Sequence, residues 1–230
     1  MFRLPRDRLL WVALASLAGV ILWFEFTDLD LRVQDRLYDF AHQRWVVDGN
    51  EPVGRLLFYN GPKIAVWLVG LTVLTLTFGP ARWRDRCRFN RRGLGVAALT
   101  LATLPVLAGV GKNFTNVFCP SEVQRYGGSE PYVKLCSPYP DDQPPAGKGH
   151  CFPAGHASGG FALMGLAWLR ASRRWRRGAI LLGLAVGWWM GGYQMLKGAH
   201  YLSHTLFTMT LAWVVMLGWS RVLRPPTADS

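Results

Sequence analysis

The most regular feature of the sequence is a series of long apolar runs separated by polar segments. The runs lie at 9–26, 64–78, 94–110, 161–169, 179–195 and 206–222. Most of them approach the roughly 20 residues that an α-helix needs to cross about 30 Å of hydrocarbon. The fourth run is short, but small residues at 157–160 extend it, and such residues suit close helix contacts in lipid. The pattern therefore predicts an all-α integral membrane bundle of six transmembrane helices.

The predicted helices span approximately 9–27, 63–80, 94–111, 155–170, 178–196 and 200–222, in a single membrane domain covering residues 1–230. They leave two long loops, 28–62 and 112–154, on one side of the bundle, together with a tight turn near 197–201. Apolar residues at 29, 31, 33, 37, 40 and 41, with polar residues between them, favour an amphipathic helix lying on the membrane surface, and a connector without chemistry is the alternative. The second loop is rich in Pro, Gly and Tyr, which predicts an ordered but irregular segment.

Composition and charge give the bundle an orientation. Hydrophobic residues make up 50% of the chain, and its net charge is +12. Arginines cluster before the first run, between the second and third, between the fourth and fifth, and after the last, so every second connection is basic. By the positive-inside rule, the N- and C-termini and the two Arg-rich loops are cytoplasmic. The expected partner is the lipid bilayer and not nucleic acid, and in a bacterial inner membrane the long loops face the periplasm.

The four cysteines divide between the two sides of this topology. Cys87 lies on the cytoplasmic side, whereas Cys119, Cys136 and Cys151 lie outside, where disulfides persist. A Cys119–Cys151 bond is favoured because it would tie the segment after the third helix to the start of the fourth. Cys136–Cys151 is the competing pair. The spacings lack a CxxC-type arrangement, so no zinc site is predicted.

Lysine and histidine side chains converge at the outer surface of the predicted bundle. Lys112 ends the third helix, and His156 begins the fourth. Lys197, His200 and His204 lie where the fifth helix gives way to the sixth. Ionisable groups next to hydrocarbon are costly, so their convergence indicates a functional site. A phosphoryl group in transfer needs positive charge on its oxygens, a nucleophile in line and a proton for the leaving oxygen, and these residue types supply all three.

Three short motifs contain these residues. They read Lys112-x6-Cys119-Pro120, Pro153-Ala154-Gly155-His156, and Tyr193-Gln194-x5-His200-x3-His204. In order, spacing and membrane placement they resemble the motifs of the type 2 phosphatidic acid phosphatase (PAP2) superfamily. That family has Lys-x6-Arg-Pro, then Pro-Ser-Gly-His, then Ser-Arg-x5-His-x3-Asp. The resemblance runs from about the third predicted helix to the sixth, and it implies a PAP2-like core.

The resemblance implies a role for each matching residue. Lys112 corresponds to a phosphate ligand, His156 to the general acid and His200 to the nucleophile, which forms a phosphohistidine. Ala154 lacks the hydroxyl of the family's serine but keeps its backbone N–H. The helix that opens at Gly155 offers further N–H groups to an anion, without a metal.

Other positions depart from the family pattern. Cys119 and Gln194 stand where the family has two phosphate-binding arginines, so the site lacks two charges. Lys197, three residues before His200, and Arg125, shortly after the Cys-Pro pair, are the predicted substitutes.

The family's aspartate, which orients the nucleophilic imidazole, is replaced by His204. A neutral histidine can accept the same hydrogen bond but offers no negative charge, so we expect His200 to be a weaker base. The expectation changes if Glu122, Glu130 or Asp141 reaches the nucleophile from the second loop.

The function that the resemblance implies is a metal-independent phosphatase without a cofactor, acting at the outer face of the membrane. Its substrate is a lipid phosphate or diphosphate, such as undecaprenyl diphosphate, a lipid A phosphate or phosphatidylglycerol phosphate. One alternative is a lipid-to-lipid phosphotransferase that uses the same site. Another is an inactive lipid-binding protein, or a haem- or metal-binding protein, because the i,i+4 spacing of His200 and His204 also suits a ligand pair.

Overall fold

A computed structural model describes residues 6–226 of the chain, which is 68% helical. Five helices in the described range are long and apolar enough to cross a membrane, which indicates an integral membrane protein. Four of them are α1 (Arg6–Glu25), α6 (Arg91–Phe114), α8 (Arg173–Leu196) and α9 (Leu202–Leu223). The fifth combines α3 (Pro52–Arg55), a π-helical turn (Leu56–Asn60) and α4 (Gly61–Phe78). The chain termini, predicted to be cytoplasmic, lie outside the described residues.

The fourth predicted transmembrane helix, 155–170, is not a single spanning helix, so the expectation of six spans is confirmed for five only. Its place is taken by α7 (Gly155–Ala162), followed by a 3-10 helix (Leu163–Trp168). The two together rise roughly 24 Å, less than the hydrocarbon thickness. A short helix, α5 (Ala81–Arg86), also interrupts the predicted Arg-rich loop.

Helix α7 lies inside the bundle, and small residues allow this. A Cβ added at Gly160 would lie 2.7 Å from the Cα of Gly187, so the backbones of α7 and α8 are in close contact there. The ring of Phe161 occupies the space that a side chain at position 187 would need. Close backbone approach of this kind is typical of helix packing in lipid. Helix α7 packs against α6, α8 and α9. These contacts fix the position of its first turn.

The first outer segment differs from the predicted amphipathic helix. Helix α2 ends after seven residues (Leu29–Asp35), and a two-stranded antiparallel hairpin follows, with β1 (Tyr38–Asp39) paired to β2 (Arg44–Trp45). The buried side chains of α2 are polar, Asp30 and Gln34, and not apolar. The reason is that α2 packs on the protein, where α9 begins, and not on lipid. An aromatic cluster of Tyr38, Trp45 and Tyr126 joins the hairpin to the second outer loop.

The second outer loop is irregular, as predicted, apart from 3-10 turns at Pro120–Glu122 and Gln124–Tyr126. A disulfide joins Cys119 to Cys151 and confirms the favoured pairing. Cys136, which belonged to the competing pair, is a free and exposed thiol. The bond links the segment after α6 to the segment before α7, so the two ends of the loop are tied together beside the histidines.

Candidate functional site

His200 and His204 lie side by side at the junction of α8 and α9. His200 belongs to the short connection between the helices, and His204 lies in the first turn of α9. Both side chains are buried, and their Nδ1 atoms are 3.4 Å apart. A Cys151 sulfur of the disulfide lies 3.4 Å from His200 Nδ1. The sequence motif therefore becomes a contact between two imidazoles with the disulfide packed against them.

The contact between the two imidazoles restricts their tautomers. A neutral imidazole has one donor and one acceptor nitrogen, so only one of the two facing Nδ1 atoms can carry the proton. The His204 ring also lies close to the backbone of Cys151. When His204 Nδ1 is the acceptor of the pair, His200 Nδ1–H donates to it. In this arrangement His200 Nε2 keeps its lone pair.

The surroundings of His200 favour its neutral form. Burial is the main cause that lowers the pKa of His200 well below its usual value, because a charged imidazole loses its hydration there. Nearby positive or ionisable groups lower the pKa further: His204, Lys112, His156 and Lys197. His200 and His156, predicted to be the nucleophile and the acid, and the predicted phosphate ligands Lys112 and Lys197 are thus close enough to act on one another.

The first turn of α7 and the last turn of α6 meet at this cluster. A Cβ added at Gly155 would lie 3.8 Å from Nζ of Lys112, so the lysine ammonium sits over the start of α7. His156 is the next residue of that turn, and its Nε2 atom is buried without a hydrogen-bond partner. The first N–H groups of a helix lack intrahelical acceptors and carry partial positive charge, so this corner suits an anion.

One side of the site is formed by the π-helical turn before α4. The sequence did not predict this contribution. The ring of Tyr59 lies 4.1 Å, centroid to centroid, from the imidazole of His156. The ammonium of Lys197 lies 5.0 Å from the same tyrosine ring. Burial, and secondarily the charge of Arg55, lowers the pKa of Lys197. π-Helical turns are frequent at functional sites.

Lys63, on the first turn of α4, is a further cation that was not predicted. Three lysines, Lys63, Lys197 and Lys112, are the charges that act on the imidazole of His156. Within residues 6–226 none of these three ammonium groups forms an ion pair with a carboxylate. The signal was present in the sequence, because Lys63 stands at the outer end of its predicted helix, as Lys112 does. Three lysines without an ion pair in the described range, with only Glu122 acting on Lys112 at longer range, give this cluster an excess of positive charge that attracts anions.

Two predicted phosphate contacts are engaged elsewhere. The guanidinium of Arg125 donates to both carboxylate oxygens of Asp35, at 2.8 and 2.7 Å, because the 3-10 turn at 124–126 packs against α2. This pair raises the pKa of Arg125 and lowers that of Asp35. The backbone N–H of Ala154 donates to the hydroxyl of Thr208 at 3.1 Å. Arg125 and the Ala154 N–H are therefore not part of the cluster.

No carboxylate takes the place of the missing aspartate among the hydrogen bonds of the described residues. Glu122 accepts from the backbone N–H of Cys119 at 2.7 Å, and Glu130 accepts from that of Ala146 at 3.1 Å. Asp141 is exposed on the second loop. His204 is thus the group that faces Nδ1 of the nucleophile.

The geometry bears on the alternative of a metal site as well. The sulfur of Cys151 and nitrogens of His200 and His204 lie within 4.8 Å of one another. The sulfur is part of the disulfide, however, so it is not the thiolate that metals bind. Two histidines remain as ligands, which is fewer than structural and catalytic zinc sites use.

Comparisons with known proteins identify the family. A comparison with curated proteins and a comparison with solved structures each gave no match. The model of the PAP2 superfamily matches residues 93–227, more than half of the chain, and this range includes all three motifs. Asp30, Gln34, Tyr59 and Lys63 lie before the matched range. The chain therefore belongs to the PAP2 superfamily.

Proposed function

We propose that the protein is a metal-independent phosphatase that removes phosphate from a lipid phosphate or diphosphate through a phosphohistidine on His200. Membership of the PAP2 superfamily indicates phosphatase-type activity. One observation carries the proposal for this chain: the charges of Lys63, Lys197 and Lys112 act on His156, and two of these lysines act together with His156 on the buried, neutral His200. This arrangement offers charge for the phosphate, an acid and a nucleophile within one cluster.

The lysines and the first turn of α7 would bind the phosphate. Lys112 lies over Gly155, and Lys197 and Lys63 approach His156 from α8 and α4. Lys63 and Lys197 replace the positive charge that the family's two arginines supply elsewhere. Cations held in place before the reaction stabilise the charge on the transferring phosphoryl group at no cost in reorganisation.

The chemistry is a pair of displacements. The Nε2 lone pair of His200 attacks phosphorus and forms a P–N bond while the P–O bond to the leaving group breaks. His156 is protonated once the negative charge of the bound phosphate offsets the charges of the three lysines, and it then gives this proton to the leaving oxygen. Water then attacks the phosphohistidine, the P–N bond breaks, and the water proton returns to His156. His204 accepts the Nδ1 hydrogen of His200 throughout and holds the ring in the attacking orientation.

Membrane placement is part of the proposal. The Arg-rich segments near α5 and before α8 lie at the helix ends opposite the histidine cluster. The positive-inside rule then supports an active site at the outer face, which is the periplasmic side of a bacterial inner membrane. A lipid substrate would present its phosphate at this surface while its chains stay in the bilayer.

Phosphate release by the purified protein tests the proposed function. We expect turnover of at least one member of a panel of prenyl diphosphates, lipid A phosphates, phosphatidylglycerol phosphate and phosphatidic acid. Addition of EDTA is expected to leave the rate unchanged, because no step uses a metal. Zero turnover on every lipid, with and without a second lipid as acceptor, would contradict the proposal.

Lys63→Ala tests the contribution of α4 to substrate binding. A charge-assisted hydrogen bond contributes about 1.5–3 kcal/mol, so we expect KM for the lipid phosphate to rise roughly ten- to a hundredfold. Lys63→Arg should keep most of the affinity. The matched control is Lys134→Ala, because Lys134 pairs with Asp28 at 3.0 Å and does not act on His156. Equal kinetics in Lys63→Ala and the control would show that Lys63 does not bind phosphate.

A further inference from the structure

The connection between α8 and α9, which carries His200, is held by the first outer segment of the chain. The connection is only five residues long, from Lys197 to Tyr201. Helix α2 and the β1–β2 hairpin lie against it, although more than 150 residues separate them in sequence. The segment precedes the family-matched range of 93–227. Three independent contacts join the two.

The first contact fixes the peptide of the nucleophile itself. Nε2 of Gln34 donates to the backbone carbonyl of His200 at 2.6 Å. The Gln34 side chain is fully buried, with 0% of its surface exposed. Loss of this hydrogen bond would leave the buried N–H of Gln34 and the carbonyl of His200 without it, at a cost in free energy, although Oε1 of Gln34 has no partner among the described residues.

The second contact fixes the start of α9. Oδ1 of Asp30 accepts from the backbone N–H of Ser203 at 2.8 Å. The helix has no side-chain cap of its own, because its N-cap residue is Tyr201. Asp30 therefore supplies from α2 the cap that Ser, Thr, Asp or Asn usually supplies within the helix. Burial raises the pKa of Asp30 to about 6, a cost that the hydrogen bonds to Ser203 partly offset.

The third contact fixes the turn before the nucleophile. Gly198 has φ +72°, in the left-handed region, and the indole of Trp45 occupies the space where a Cβ would be. The neighbouring Val47 N–H donates to the carbonyl of Leu196 at 3.3 Å, at the end of α8. The hairpin thus packs directly on the backbone two residues before His200.

We propose that residues 28–47 form a clamp that positions the nucleophile, with Gln34 and Asp30 as its positioning residues. The proposal rests on the proposed function of His200. Neither side chain contacts His156 or the lysines, so the clamp acts on the geometry of attack and not on phosphate binding. Displacement of a reacting group by about 1 Å can cost a hundredfold in rate.

Gln34→Leu is the direct test, because leucine fills a similar volume but cannot donate to the His200 carbonyl. We expect kcat to fall about ten- to a hundredfold while KM for the lipid phosphate stays the same. The matched control is Gln124→Leu, since Gln124 Nε2 also donates to a backbone carbonyl, that of Ser129, at 3.1 Å. Unchanged kcat in Gln34→Leu, or a rise in KM alone, would overturn the proposal.

Asp30 gives a second test that includes its own rescue. Asp30→Ala removes the acceptor for Ser203 and should lower kcat, whereas Asp30→Asn keeps an oxygen at that position and should restore most of the rate. If kcat falls equally in Asp30→Ala and Asp30→Asn, the negative charge of Asp30 matters and its hydrogen bond to the Ser203 N–H does not. That result would contradict the clamp.

A readout without substrate separates failure of the clamp from failure of the phosphatase proposal. Diethylpyrocarbonate modifies accessible neutral imidazoles, and mass spectrometry can follow its reaction at His200. We expect faster modification of His200 in Gln34→Leu than in the unchanged protein and in Gln124→Leu. Equal modification rates contradict the clamp, whether or not the protein hydrolyses lipid phosphates.

Discussion

Replacement of His200 with alanine is expected to abolish phosphate release from lipid phosphates. The loss should be about four to six orders of magnitude in kcat, the range seen when a covalent nucleophile is removed. The physical reason is that the proposed mechanism gives the other two histidines of the cluster different tasks. His204 faces Nδ1 of His200, and His156 serves as the acid. Radioactive or colorimetric phosphate release, measured on the preferred lipid, gives the result.

Two further variants make the experiment specific. His42→Ala is the matched control, because His42 is exposed, pairs with Asp39 at 2.7 Å and takes part in none of the three contacts through which the clamp holds the α8–α9 connection. It should leave kcat unchanged. His200→Gln retains a polar side chain, so it separates the loss of the nucleophile from the loss of packing around the buried ring. Activity close to that of the unchanged protein in either His200 variant would assign the nucleophile to another residue.

Removal of the Cys119–Cys151 disulfide is expected to produce the second large effect, on stability and on rate together. The bond closes a loop with a sequence separation of 32 residues. Chain-entropy arguments give about 3–4 kcal/mol of stabilisation for a loop of that size. The Cys119→Ser, Cys151→Ser double variant should therefore unfold at a lower temperature, and reductant should have the same effect on the unchanged protein.

The rate should fall as well, because the disulfide sulfur lies 3.4 Å from the nucleophile's Nδ1 atom. Without the bond, the segment before α7 loses its covalent link to the segment after α6, and the sulfur of Cys151 is no longer held against the ring of His200. Cys136→Ser is the matched control, since Cys136 is free and exposed. An unfolding temperature equal to that of the control would contradict a stabilising role, and an equal kcat would contradict the role in positioning.

Some features follow from local pattern and could be predicted. Apolar runs of about 20 residues fix the number of long helices to within one, because hydrocarbon satisfies no backbone polar groups. The fourth run failed as a span since its small residues let α7 pack inside the bundle and end early. The amino-acid sequence of α7 alone does not show how closely a neighbouring helix approaches it.

The motif residues were predictable for a similar reason. Lys112, His156 and His200 each lie at a helix end, and the alternation of basic connections places those ends at one membrane surface. The favoured disulfide followed from the same placement. Sequence could not reveal that Arg125 would pair with Asp35, because that pairing depends on how a 3-10 turn meets α2, 90 residues away in the chain.

The sequence by itself thus determined the membrane character, the helix ends and the family motifs, all of which depend on hydrophobicity and on spacing within a few residues. Only the tertiary structure decided which groups complete the site. Lys63 and Tyr59 reach His156 from α4, and Gln34 and Asp30 hold the His200 connection from α2. These contacts join segments distant in sequence, so they depend on how the helices pack and not on any local pattern of residues.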